Sequence, residues 1–284
     1  MRSALVLTDF SEAAFRAGQY VCSMADLLQI ERIVLYHGYH VIIPPTDVTT
    51  VPVKTDEELY LESMESLGLV RDQLQLRSRN DVIIETFAEN TLSPETVNER
   101  CVEQKIDVIA MGINDKSGID RMMAGNFTAR MLQASRFPLL MIPAEAIVGR
   151  EIKSIVFATD LKDIETIPVA QLYSFLDACK AEIHVVNAGP DKVKEFLPED
   201  KQEAFNKLHA LLDKYSSHFY FVDGDNPVDS ILTFAGEHRA SLIIAIPKKH
   251  GFLFSIFHKS ISKTLVYNSR VPLLCLPEVE AGKR

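Results

Sequence analysis

The sequence predicts two α/β units in tandem, each a five-stranded parallel sheet with helices on both faces. Three observations predict it. Short apolar runs alternate with helical patterns along the whole chain, the arrangement of a doubly wound parallel sheet. The pattern starts again near Ile152. Each copy ends in an apolar strand bracketed by prolines, Pro138–Pro143 and Pro272–Pro277.

The first run, Ala4-Leu5-Val6-Leu7, ends at Thr8-Asp9-Phe10-Ser11, and Ser11 with Glu12 opens a helical pattern reaching about Leu28. Ile33-Val34-Leu35-Tyr36 is the second strand, closed by His37-Gly38. Residues 42–55, with three prolines, read as an irregular loop. A long helix follows from Asp56 through Leu59, Met64, Leu67, Val70 and Leu74. Val82-Ile83-Ile84 is the third strand. Ser93-Pro94-Glu95 is a helix start, with a capping hydroxyl, proline at the first position and an acid in the first turn. Val108-Ile109-Ala110-Met111 is a strand apolar on both faces, ended by Gly112. A loop carrying Gly118 and Gly125 leads to a helix expected to open at Asn126-Phe127-Thr128, and Leu139–Ile142 is the last strand.

The second copy repeats the opening strand and turn as Val156-Phe157-Ala158-Thr159-Asp160-Leu161, an offset of 151 residues from Leu5–Phe10. Ile183–Val186, Asp223-Gly224-Asp225-Asn226-Pro227 and Ser241–Ala245 repeat strand two, the exit of strand three with its helix start, and strand four. The closing strand repeats at an offset of 134 (Pro138 to Pro272), so the second copy is shorter by 17 residues, the difference between the offsets. This predicts units over residues 1–146 and 151–279 with a linker near Ala144–Glu151. The two closing strands are expected to meet across a pseudo-twofold, packing the units as an internal dimer.

Composition narrows the function. Hydrophobic content of 47% with 24% charged residues is that of an ordinary soluble globular chain. No apolar run approaches a membrane span, and Met1-Arg2 passes directly into strand residues without a signal-peptide layout, so a cytoplasmic location without membrane contact is expected. A net charge of −9 argues against nucleic acid as partner. The four cysteines, Cys22, Cys101, Cys179 and Cys275, form no C-x-x-C pair and read as reduced, buried thiols. The eight histidines show no metal-ligand spacing. No G-x-G-x-x-G follows the first strand, and neither a P-loop nor a G-x-S-x-G elbow occurs. No activated nucleophile or acid–base pair stands out, so a binding protein rather than an enzyme is expected.

Ligands of such sheets sit beyond the carboxyl ends of the strands, where the strand order reverses. Thr8-Asp9, His37-Gly38 and the Gly112 loop all follow strands, which places them on one rim. A strand, a glycine loop and a helix start form a phosphate-handling layout, because bare backbone N–H groups and a helix N-terminus attract anions.

The spacing Gly112-x2-Asp115-x9-Gly125-Asn126 resembles the nucleotide loop of universal stress proteins, G-x2-G-x9-G-[S/T]. Leu7-Thr8-Asp9-Phe10-Ser11-Glu12-Ala13-Ala14 is similar to that family's first strand and turn, and the likeness covers essentially the whole chain. It implies tandem Rossmann-like domains of the adenine-nucleotide alpha-hydrolase type, and binding of an adenine nucleotide, ATP or AMP, with Mg²⁺ as an accessory ion. By this resemblance Asp9 and the backbone after the second strand, at Gly38, help hold adenine and ribose. Gly112, Gly125, Asn126 and Thr128 face the phosphates, and Thr8, Met111, Asp115, Gly118 and Phe127 complete the cofactor-binding set.

Two departures qualify it. Gly38 stands where an apolar residue usually touches the base. Asp115 sets a carboxylate against phosphate; at ~5 Å and an effective dielectric near 20 each phosphate charge costs about 3 kcal/mol before screening by salt or Mg²⁺. The second unit reads Ile246-x2-Lys249-x9-Lys259-Ser260, without the outer glycines. Its loop is basic, with Lys248, Lys249, His250, His258 and Lys259 among Phe252, Phe254 and Phe257. Two functions follow: a regulatory protein that binds an adenine nucleotide in its first unit and has a degenerate second site, or a stress-response scaffold acting through contacts with a protein partner not named by the residues. Association of two whole chains is an open alternative.

Overall fold

A computed structural model describes residues 1–40, 54–79, 81–113, 120–149, 151–189, 199–247 and 270–279. The first half runs β1 (Ser3–Leu7), α1 (Glu12–Ser23), α2 (Ala25–Leu28), β2 (Arg32–Gly38), α3 (Asp56–Gln75), β3 (Ile83–Glu89), α4 (Pro94–Glu103), β4 (Val108–Ile113), α5 (Asp120–Ala134) and β5 (Leu139–Pro143). The second runs β6 (Ser154–Thr159), a 3-10 turn (Ile164–Thr166), α6 (Val169–Cys179), β7 (Glu182–Gly189), α7 (Glu199–Leu212), β8 (Ser217–Asp223), α8 (Pro227–Glu237), β9 (Leu242–Ala245) and β10 (Leu273–Cys275).

The helix starts are local chemistry. Ser11 accepts from the Ala14 amide, Thr55 and Glu58 close a capping box on α3, and Ser93 caps α4 with Pro94 inside its first turn. The first helical pattern, expected to reach about Leu28, does so as two helices, α1 and α2, that meet at Met24.

Among the described residues ten strands form one sheet in the order β3-β2-β1-β4-β5-β10-β9-β6-β7-β8. Each pairing among them is parallel except β5 with β10. Leu140 faces its own repeat equivalent Leu274 there, while Leu139 faces Cys275 and Met141 faces Leu273. That register is what a twofold through the Leu140–Leu274 pair demands. The expected internal pseudo-dimer is therefore made by strand pairing.

Strands β1, β4 and β5 are buried on both faces, as their unbroken apolar runs require. On one face, Ala4, Val6, Leu140, Ile142, Ile155, Phe157, Leu274 and Leu276 belong to a single apolar core shared by both halves, with α1, α3, α6 and α7 packed over it. The opposite face has two cores, one beneath α4 and α5 and one beneath α8. Among the described residues no helix is long and apolar enough to cross a membrane.

Candidate functional site

In the first half the chain runs from β1 outward to β2 and β3, then crosses back to β4 and β5, so strand order reverses between β1 and β4. Leu7 pairs with Met111 and with Tyr36, which sets the ends of β1, β2 and β4 side by side. Thr8, Asp9, Gly38, Met111 and Gly112 are thus brought to one rim.

The turn after β1 is tied down by its own side chains. The Thr8 amide donates to the Tyr36 carbonyl (2.9 Å), and Thr8 Oγ1 accepts from the Phe10 amide (3.1 Å). Asp9 Oδ1 accepts from the Ser11 amide (3.0 Å). Phe10 is pushed to φ +64°, a left-handed conformation uncommon for such a side chain. Its half-exposed ring lies 4.3 Å from the His37 ring. His37 Nδ1 donates to the Thr8 carbonyl at 2.8 Å, which fixes the proton on that nitrogen. Asp9 is exposed beside this aromatic pair.

Gly38 bares its backbone to the chain itself. A Cβ there would sit 2.6 Å from both the Leu92 Cβ and the Thr91 carbonyl oxygen. The turn carrying those residues is held by a half-buried network. Tyr36 Oη donates to Glu89 (2.9 Å), and Arg100 Nη2 donates to the other Glu89 oxygen (2.8 Å) with its guanidinium 4.4 Å above the Phe87 ring. Burial, then the Glu89 carboxylate, pushes the Tyr36 hydroxyl well above the usual phenol range. Nothing in the sequence flags this network, because an acid and a base eleven residues apart are ordinary until the fold joins them.

Gly112 is likewise filled. The strand continues through it to Ile113, and a Cβ would lie 2.2 Å from the Ala13 carbonyl oxygen and 2.6 Å from the Ala14 amide nitrogen. The glycine lets the first turn of α1 dock against β4.

The phosphate end differs from expectation. Helix α5 begins at Asp120, so Gly125 and Asn126 lie within it and not at its start. The run Arg121-Met122-Met123-Ala124 consists of strong helix formers, which outweigh the roughly 1 kcal/mol cost of one interior glycine. Phe127 packs against the core beneath α5, and Thr128 and Met111 are buried. Asp115 and Gly118 lie outside the described residues, as do the second-half loop positions 248–269.

The second half makes the same turn. Thr159 Oγ1 accepts from the Leu161 amide (3.0 Å), Asp160 Oδ1 from the Lys162 amide (3.1 Å), and Leu161 stands at φ +53°. Asn187 takes the place of His37, donating to the Thr159 carbonyl at 2.9 Å. Beyond the turn the halves part. Ile246 replaces Gly112 and Ile164 replaces Ala13, both buried in one core with Leu161 and Ile167. The helix then begins only at Val169, after the 3-10 turn.

The chain resembles known structures over its full length. A universal stress protein from Archaeoglobus fulgidus superposes with a TM-score of 0.72 at 16% identity, covering 98% of this chain and 97% of that one. A putative universal stress protein from Pseudomonas aeruginosa gives 0.59 at 15% identity, with coverages of 98% and 94%. The cytoplasmic domain of a prokaryotic cation chloride cotransporter gives 0.51 at 10% identity, with coverages of 100% and 97%. At such identities the likeness is one of fold. No curated protein matches the chain in sequence. The sequence profile of the universal stress protein family matches residues 1–143, half of the chain, and it is to that family that the protein belongs.

Proposed function

We propose that the protein is a regulatory binder of an adenine nucleotide, taken up at the rim of its first half, and that it acts by binding rather than catalysis. The observation that carries this reading is the meeting of the Thr8-Asp9 turn, the His37-Gly38 strand end and the Gly112 exit at the reversal of strand order. The exposed Asp9 carboxylate suits a ribose hydroxyl, and the tilted Phe10–His37 ring pair offers an aromatic surface beside it.

The residues fit the nucleoside end of such a ligand better than its phosphate end. Gly125 and Asn126 are interior to α5, Thr128 is buried, and the space bared by Gly112 is taken by α1. Asp115 adds a like charge near phosphate on the family pattern. The reading therefore favours AMP or adenosine over ATP. Mg²⁺ enters only with a polyphosphate, and no cation ligands are assigned to it.

Titration calorimetry with adenosine, AMP and ATP at fixed salt without Mg²⁺ tests the reading. Affinity falling from adenosine or AMP to ATP supports it. In Asp115→Gly the loss of one carboxylate is expected to strengthen ATP binding by roughly 1–2 kcal/mol, about five- to thirty-fold, and adenosine binding much less. Equal gains for both would assign the effect to backbone freedom instead of charge. Absence of binding by all three ligands would favour the scaffold function.

A further inference from the structure

The corner opposite the junction, at the outer edge of the second half, holds a group of histidines that the rim does not use. His184 on β7 faces His218 on β8 in register, and His238 closes the C-terminal end of α8. His184 is 6% exposed, and its Nδ1 is buried with no hydrogen-bond partner among the described residues. Its ring centroid is 5.3 Å from that of His238, 6.3 Å from His218 and 5.5 Å from Tyr220. Glu182, two residues along β7 and on the same face, reaches both neighbouring imidazoles: its oxygens lie 3.3 Å from His218 Nε2 and 3.9 Å from His184 Nε2. From α8, the His238 ring stacks on Phe234 at 3.8 Å and its Nδ1 donates to the Phe234 carbonyl. On the other side β6 places Val156 opposite His184. Among the described residues no group of three such side chains is spaced to hold a metal ion.

The three imidazoles differ in their surroundings. His218 faces the Glu182 carboxylate and is open to water. His238 sits at the C-terminal end of α8. Charged His184 would be sealed under α8, with an unpartnered nitrogen and two further imidazoles within about 6 Å. Burial above all lowers its proton affinity; Glu182 opposes this, and His238 and then His218 add to it.

We infer that this corner is an acid-operated latch, in which edge strand β8 and the last turn of α8 stay docked while His184 is neutral and come away with uptake of one proton by His184. Strand β8 is suited to this as the end strand of the sheet, held among the described residues on one side by β7 alone. Above the ordinary histidine range neither the closed nor the open state carries the proton, so opening is independent of pH. Below about pH 6.5 the open state takes it and the closed state does not, so opening rises by up to about tenfold per pH unit. The rise stops once the closed state is protonated as well.

Hydrogen exchange followed by mass spectrometry between pH 7.5 and 5 tests the latch on the full chain. Protection factors of Phe219–Val222 and Phe234–Glu237 are expected to fall below pH 6.5 while those of β1, β2 and β4 hold. In His184→Leu the pH dependence should vanish from that corner. His218→Asn, an exposed change, removes one of the two like charges, so the fall should level off at a higher pH. Uniform loss of protection across both halves would overturn the inference. So would a pH profile unchanged in His184→Leu or, should that variant not fold, in His218→Asn.

Discussion

Phe10 at φ +64° and Leu161 at φ +53° end the same Thr-Asp turn in the two halves, each held by a threonine hydroxyl and an aspartate oxygen accepting the same backbone amides. A few ångströms away, Gly112 with Ala13 in one half answers to Ile246 with Ile164 in the other. Two small residues let a helix dock directly on the strand in the first case. Two large ones fill the core and delay the helix to Val169 in the second. The Thr-Asp turn is therefore a device for leaving the first strand and does not by itself signal a ligand. What distinguishes the halves is the size of the residues at the switch between the first and fourth strands.

The sharpest way to break that comparison is to give the first half the second half's residue. Gly112→Ile drives a side chain into the Ala13–Ala14 backbone, which cannot turn aside as a flexible side chain would. We expect a loss of about 3 kcal/mol or more in urea denaturation, with α1 losing exchange protection first. A loss below about 1 kcal/mol would show that α1 shifts without strain.

The pseudo-twofold supplies the next test. Leu140→Ala and Leu274→Ala remove equivalent, fully buried side chains facing each other across β5 and β10. Each should cost about 3 kcal/mol, with a coupling of roughly 1 kcal/mol in the double-mutant cycle. Strictly additive losses would mean that the two leucines pack independently.

The two aspartates separate turn from ligand. Asp9→Ala and Asp160→Ala each remove a turn hydrogen bond, and the loss of that bond should cost about 1 kcal/mol of stability in either half. Only Asp9→Ala should weaken AMP binding, by about tenfold or more, read by calorimetry. Equal effects on binding would overturn the assignment of the ligand to the first half.

The smallest effect concerns the thiols. All four cysteines are buried, and burial pushes Cys22 up to about 11 and Cys101 and Cys179 up to about 12, so none is a thiolate near neutrality. Labelling with a thiol reagent at pH 8 should be slow in all four, becoming stoichiometric in urea. Because Cys275 lies on β10 opposite Leu139, its native-state rate reports opening of the junction, and Leu140→Ala should raise it above those of the other three.

Much of this protein follows from local sequence. The alternation of apolar runs and helical patterns determines the parallel sheet, because strands buried on both faces must be apolar throughout. Ser11, Thr55 and Ser93 determine their helix starts through contacts no more than three residues long. The Pro-bracketed strands and the repeat determine that two equivalent edges exist to be paired. Spacing determines less at the candidate site. It brings Thr8, Asp9, Gly38 and Gly112 to one rim, but a glycine in a sequence does not say whether the space it leaves admits a ligand or another part of the chain. Only the tertiary structure decides that the Leu92 turn fills it at Gly38 and helix α1 at Gly112. Likewise the joining of Glu89 to Arg100 and the gathering of His184, His218 and His238 depend on contacts between segments remote in the chain. Their energies appear only once distant strands and helices exclude water between them.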